Sequence, residues 1–396
     1  MTRKSKARYG LKRTYRVNPT VKALRAALMA GLMATASTVA LAAPPPVDIA
    51  IEYFESGDIT VVNATDLDAE AIYAAGGIVA ISDYGDVDIT NDGNITADAG
   101  YFYGYNALAA GIYAEAGYDA TVNNSGSISA YAYGSYGGPA RALGIYAVAG
   151  AFNGYGDAEI QNSGAIEVTT YSSSEAQSIG IAAYAEDGDV TVGNTGQIIA
   201  TSTVYADDYF TVSTATGISG YSEYGDVAIT NSGLINVAAY VYDESGYAVS
   251  TASAIGIRAS GYTVDIDNTA SIAAFASDDV YLGNSIAIGI DAEAYADITI
   301  SNTGDISLAG SSGDGYYYYS LGYPNYIRYT GDFVATGISA ESYEGSISIT
   351  NGGDITIVDQ NPDGGLAGGF ATGDRLTGIE ATTLLGDALI NNSGDL

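Results

Sequence analysis

Gly225-Asp226-Val227-Ala228-Ile229-Thr230-Asn231-Ser232-Gly233-Leu234-Ile235-Asn236-Val237 is the stretch whose reading decides the fold. Val227, Ile229 and Asn231 share one parity, as do Ile235 and Val237, while Asp226, Ala228, Thr230 and Asn236 take the other. Period-2 alternation broken by Ser-Gly describes two short strands meeting at a tight bend. The pattern returns along nearly the whole chain, and its asparagine marks each copy: Asn63, Asn91, Asn124, Asn162, Asn194, Asn231, Asn268, Asn302, Asn351 and Asn392.

Offsets from that Asn are tight. Two residues before it stands a β-branched apolar residue in every copy, from Val61 and Ile89 to Ile349 and Ile390. Four residues after it stands Ile or Leu, from Leu67 and Ile95 to Ile355 and Leu396. Two after it is Gly in most copies, with Thr65 and Ala270 the departures. Upstream lies a Gly-Ile pair ending at Ile78, Ile112, Ile145, Ile181, Ile218, Ile257, Ile290, Ile338 and Ile379. Successive asparagines are 28, 33, 38, 32, 37, 37, 34, 49 and 41 residues apart, so the unit is fixed and the spacer elastic. Such a chain is a solenoid whose copies bury their apolar faces only against one another. Three short strands per copy, a Gly-Ile strand, a Gly-Asp turn and the two strands flanking the Asn, predict an all-β, right-handed parallel β-helix of about ten coils. Stacked at the strand spacing, these give a rod on the order of 43 Å long.

The inward parity of the Asn predicts a ladder in which each side-chain amide bonds the next, since a buried bare amide costs roughly 1–3 kcal/mol. The Gly two residues on is expected to adopt the left-handed backbone of a bend. Tyrosines crowd the spacers: Tyr101, Tyr103, Tyr105, Tyr136, Tyr209, Tyr247 and the run Tyr316 to Tyr319. Alternation after the Asn points Tyr131, Tyr133, Tyr240 and Tyr242 outward, and Tyr171, Tyr205 and Phe275 are expected at matching positions. Aligned coils would stack them into one aromatic stripe, a candidate contact surface for sugars or proteins. The plainer alternative is cross-strand packing alone.

Of 13 Lys and Arg, nine precede the first acidic residue, Asp48; beyond residue 42 only Arg141, Arg258, Arg328 and Arg375 stand against 46 Asp and Glu. Nothing there neutralises phosphates, which argues against nucleic acid as a partner. The basic residues 1–25, the uncharged run Ala26 to Ala43 and the end Ala40-Leu41-Ala42 predict a signal peptide over 1–42 with an extended basic n-region, cleaved after Ala42. Residues 43–56 read as a linker and 57–396 as the solenoid.

No catalytic constellation emerges. The chain has no His and no Cys, and no Lys beyond the leader, so an imidazole or amine base and a thiol nucleophile are missing. Carboxylate pairs abound without a pattern that selects one. Asp207-Asp208 and Asp278-Asp279 are the candidates for weak Ca²⁺ binding, against a solvated acidic surface. No cofactor is expected.

The long basic leader, the A-x-A end and ten copies around G-D-x-x-[IV]-x-N-[ST]-G-x-I resemble the passenger region of bacterial autotransporter (type V secretion) proteins. The resemblance implies export, passage through a C-terminal translocator barrel in the outer membrane, and a cell-surface or released passenger acting as an adhesin or structural filament. It implies a cell-surface glycan or protein as partner, in adhesion to host cells, surfaces or biofilm matrix. No such barrel stands in residues 1–396, which end inside a coil at Asn392-Ser393-Gly394-Asp395-Leu396 and so read as truncated. The alternatives are a secreted β-helix enzyme acting on polysaccharide and a purely structural surface-layer protein.

Overall fold

In the computed structural model, residues 47–100, 106–135, 138–151, 154–206, 210–242, 249–279, 283–312, 332–360 and 374–396 are described. All regular structure among them is β. One central turn of the chain runs Phe210–Ser222, then Val227–Asn231, then Ile235–Tyr242. Each of these strands pairs in parallel with its equivalent in the turns before and after. Repeated along the chain, this builds a parallel β-solenoid with three sheets. Among the described residues the sheet of Gly-Ile strands and the sheet of strands ending at the Asn hold ten strands each, and the sheet that follows holds nine.

The register obeys the sequence offsets. Asn63 lies opposite Asn91, Asn162 opposite Asn194, and Asn231 opposite Asn268. Ile198 pairs with Ile235, and Ile218 with Ile257. Inside, these columns form one continuous core in which Ile89, Val122, Ile160, Ile229 and Ile266 are each at most 1% exposed. The alternation in Val227–Asn231 is strict, buried at 227, 229 and 231 and exposed at 228 and 230. A slip of one residue would turn the whole apolar set outward, so burial itself pins the register.

The Asn ladder forms as expected. Each Nδ2 donates twice: to the carbonyl two residues on, as in Asn231 to Gly233 at 2.9 Å, and to Oδ1 of the next Asn, as in Asn231 to Asn268 at 2.7 Å. The chain of amide bonds runs without a break from Asn63 to Asn392. At its first rung no earlier Asn donates among the described residues, and Thr65 takes that place, its N–H and Oγ1 donating to Asn63 Oδ1 at 3.2 and 3.0 Å. Thr therefore replaces Gly where the ladder begins. Nothing in the packing explains Ala270.

Two expectations need correction. Val47–Glu55, read as linker, is a nine-residue strand paired in parallel with Ala74–Ser82, so the stack opens ten residues before Gly57. The second concerns the glycines. Gly233 and its equivalents lack the left-handed backbone: positive φ occurs, among the described residues, at Gly100, Gly150, Gly154 and Gly156. Gly233 is required because a β-carbon there would overlap the Gly196 carbonyl of the preceding turn. The Gly217 of the Gly-Ile pair is required for a related reason, since a β-carbon would press on Ile235 Cγ2 and the Gly256 carbonyl. Close approach of backbone and core, not turn geometry, selects glycine.

The Gly-Asp turn has its own logic. Asp58, Asp86, Asp119, Asp157 and Asp189 each accept, through Oδ1, the backbone N–H of the aspartate one turn on, at 2.8–3.2 Å. The carboxylate thus caps a donor at the corner that the sheets leave unpaired.

Candidate functional site

The strands after the Asn present their outward residues three, five and seven places beyond the buried Ile. In Ile128–Tyr133 and Ile235–Tyr242, Ile128, Ala130, Ala132, Ile235, Val237, Ala239 and Val241 are buried, while Tyr131, Tyr133, Tyr240 and Tyr242 face out. Register then decides which rings meet. Tyr171 lies opposite Tyr133, Tyr205 opposite Tyr242, and Phe275 opposite Ala238. The single stripe expected from sequence is therefore three adjacent columns. Their rings gather into two patches, because Thr201 and Thr203 occupy the inner columns between them.

In the first patch Tyr131 and Tyr171 pack with ring centroids 5.8 Å apart and planes tilted by 46°. In the second, Tyr242 stacks on Tyr205 at 5.5 Å and on Tyr240 at 6.0 Å, and Tyr240 meets Phe275 at 5.3 Å. Tyr133, Tyr205 and Tyr242 are the most open, at 43%, 56% and 38% exposed. Burial, then the neighbouring Tyr171, Asp98 and Tyr133, raises the Tyr131 phenol above its usual range. Burial, then Tyr240, Tyr205, Asp279 and Tyr171, does the same for Tyr242. Asp98 sits directly opposite Tyr131, and its carboxyl is raised by burial and by Glu70 and Asp68. Both patches set aromatic rings beside carboxyl groups, Asp98 at the first and Asp279 at the second, a surface suited to aromatic stacking and hydrogen bonding with a polar ligand.

Several residues singled out in the sequence lie outside the described residues: Tyr101, Tyr103, Tyr105, Tyr136, Tyr209, Tyr247, Tyr316 to Tyr319, Asp207-Asp208, and the leader with Ala42. Asp278 does not belong to a solvated turn. It is 1% exposed and accepts a 2.8 Å bond from Ser250 Oγ. Among the described residues no group of three acidic or other metal-ligating side chains is placed to hold a cation.

The structure adds features that the sequence reading missed. A second set of tyrosines follows the corner between the Gly-Ile sheet and the Asn sheet: Tyr84, Tyr118, Tyr155, Tyr224, Tyr262, Tyr295 and Tyr343, all exposed. Three of these stack in succession, Tyr262 on Tyr295 at 5.7 Å and Tyr295 on Tyr343 at 5.5 Å. On the Asn sheet a shallow trough of about 560 Å³ is bordered by residues that include Asn123, Ser125, Gln161, Thr191 and Ser232. Ala74–Ser82 and Ala107–Glu115 are buried on both faces, which explains their nearly unbroken apolar sequence.

Comparison with protein-family models, with curated proteins and with solved structures gives no match.

Proposed function

We propose that this chain is the non-enzymatic passenger of an autotransporter, exported by a signal peptide cleaved after Ala42 and acting at the cell surface, at the outer membrane or outside the cell in adhesion. On this reading the winding is right-handed, the sense that right-twisted strands favour in parallel crossovers. The observation that carries the proposal is the pair of outward aromatic patches on the sheet after the Asn. Tyr131, Tyr133 and Tyr171 form one, and Tyr205, Tyr240, Tyr242 and Phe275 the other, each held by in-register strands. A surface of rigid aromatics needs little ordering when it binds, so its contact area is converted into affinity with small entropic cost.

The partner on this reading is a cell-surface glycan or protein. The test is the joint replacement of Tyr131, Tyr133, Tyr240 and Tyr242 by Ser, with binding to cells and to abiotic surfaces measured beside far-UV circular dichroism. Binding should fall while the β signal stays. Unchanged binding would sink the adhesin reading and leave a purely structural surface protein, and turnover of a polysaccharide would favour the secreted enzyme.

A further inference from the structure

Chemistry that joins phenols requires two rings side by side, open to an oxidant, with somewhere for the proton to go. The corner stack of Tyr262, Tyr295 and Tyr343 meets each condition. Its rings are spaced 5.7 and 5.5 Å apart with planes 21° and 28° from parallel. All three are about half exposed, at 47%, 46% and 53%. Their backbones are clamped turn on turn, Ala296 N–H to the Tyr262 carbonyl and Glu344 N–H to the Tyr295 carbonyl, both at 2.7 Å. Rings on consecutive parallel turns are held about 4.8 Å apart at the backbone, so an encounter that two free tyrosines make rarely is permanent here. Finally, the Glu344 carboxylate lies beside the Tyr295 hydroxyl, a base near the proton that an oxidised phenol must release.

We propose that the Tyr262–Tyr295–Tyr343 stack is an oxidative cross-linking site, at which hydrogen peroxide acting through a haem peroxidase couples adjacent phenols into dityrosine and staples neighbouring turns of the solenoid. Each of two phenols loses one electron and its hydroxyl proton to give a phenoxyl radical. The two electrons and two protons reduce one peroxide to two waters. The radicals join through ring carbons ortho to oxygen, forming one C–C bond, and each displaced ring hydrogen returns to oxygen to restore the phenols. The net change is the loss of two hydrogen atoms from the protein.

The product takes the place that a disulfide fills elsewhere. The chain has no cysteine. A Tyr262–Tyr295 or Tyr295–Tyr343 bond would close a long loop and restrict the unfolded chain as any cross-link does. Tyr295 belongs to both stacked pairs, so one oxidation event joins it to one neighbour or the other.

The test treats the folded chain at low micromolar concentration with horseradish peroxidase and hydrogen peroxide, then maps the products by trypsin and mass spectrometry. Cleavage at Arg258, Arg328 and Arg375 places Tyr295 in peptide 259–328 and Tyr343 in peptide 329–375. The expected result is a 259–328/329–375 conjugate two hydrogens lighter than the sum of its parts. Its yield should be independent of protein concentration, and Tyr295→Phe or Tyr343→Phe should lower it about tenfold, as loss of a held pair predicts. Tyr155→Phe, which alters an exposed tyrosine away from this stack, should leave it unchanged. Two results would overturn the proposal: a conjugate that survives both Phe variants, or one that forms equally well in urea-unfolded protein.

Discussion

Asn231 shows how much a single side chain carries in this architecture. Its Oδ1 receives the Asn194 amide at 2.8 Å and its Nδ2 gives to Asn268 Oδ1 at 2.7 Å, with all three side chains buried. Asn231→Ala takes one bond from the buried Asn194 amide and one each from two buried acceptors, Asn268 Oδ1 and the Gly233 carbonyl, groups that cost about 1–3 kcal/mol each when left unsatisfied. The expected loss in a denaturant melt is therefore about 3–6 kcal/mol. Asn63→Ala, at the end of the ladder, leaves the buried Asn91 acceptor unfilled, while the Thr65 N–H, hydroxyl and carbonyl that it also frees are only part-buried and can turn to water, so it should cost about half as much. Equal losses at the two sites would show that the ladder does not act as a chain. Glycine offers a second contrast. Gly233→Ala drives a methyl into the Gly196 carbonyl and should destabilise by about 1–3 kcal/mol or more, whereas Gly57→Ala meets nothing within 4 Å and should shift stability by less than about 0.5 kcal/mol. Comparable losses would return the argument to turn geometry.

At the scale of the strand, what was legible in the sequence is what burial enforces. Val227, Ile229 and Asn231 could be assigned to the inside because their period is fixed and a slip exposes all three. The outward tyrosines had no such constraint. Spacers of unequal length set how far each strand runs, so Tyr171 falls opposite Tyr133 while Tyr205 falls one outward column further on, and one expected stripe becomes two patches. The corner tyrosines were missed because they stand six to eight residues before the Asn, a drifting offset that hides their stacking. Val47–Glu55 was missed because a strand that precedes the first Asn carries no marker of the repeat. The Gly columns were found by their offset but explained wrongly, since close approach to the preceding turn leaves no trace in a single sequence. Packing between strands also bears on the adhesion test. Cross-strand aromatic pairs contribute about 0.2–1 kcal/mol each, so the four-Ser variant should melt slightly earlier yet keep its Ile and Asn ladders. A binding loss accompanied by collapse of the β signal would belong to the scaffold and not to the surface.

For the whole molecule, the core is almost wholly aliphatic, with Glu115 and Asp278 as buried carboxyl groups among the described residues, and the response to alkali can be followed in particular buried phenols. Tyr146 is 3% exposed and stacks on Tyr113 at 5.4 Å, and burial holds its hydroxyl far above the ordinary tyrosine range. Tyr184, stacked on Tyr221 at 5.2 Å, is pushed up to about 12 by burial, then by Tyr221, Glu186 and Glu223. An unfolded tyrosine ionises near 10. Between about pH 10 and 12 the unfolded chain has thus released protons that the folded chain still holds, and stability falls as pH rises through that window. Below about pH 10 both states are protonated and the contribution is complete. The slope assignable to Tyr146 is at most about 1.4 kcal/mol per pH unit, and the half-exposed Tyr184 adds less because solvent screens it. Urea melts from pH 9 to 12, read beside phenolate absorbance, should show a late-ionising phenol fraction from Tyr146 and Tyr184 and stability declining over the same interval. Tyr146→Phe should flatten that decline. An unchanged slope in this variant would assign the alkaline loss to repulsion among the carboxylates of the rim.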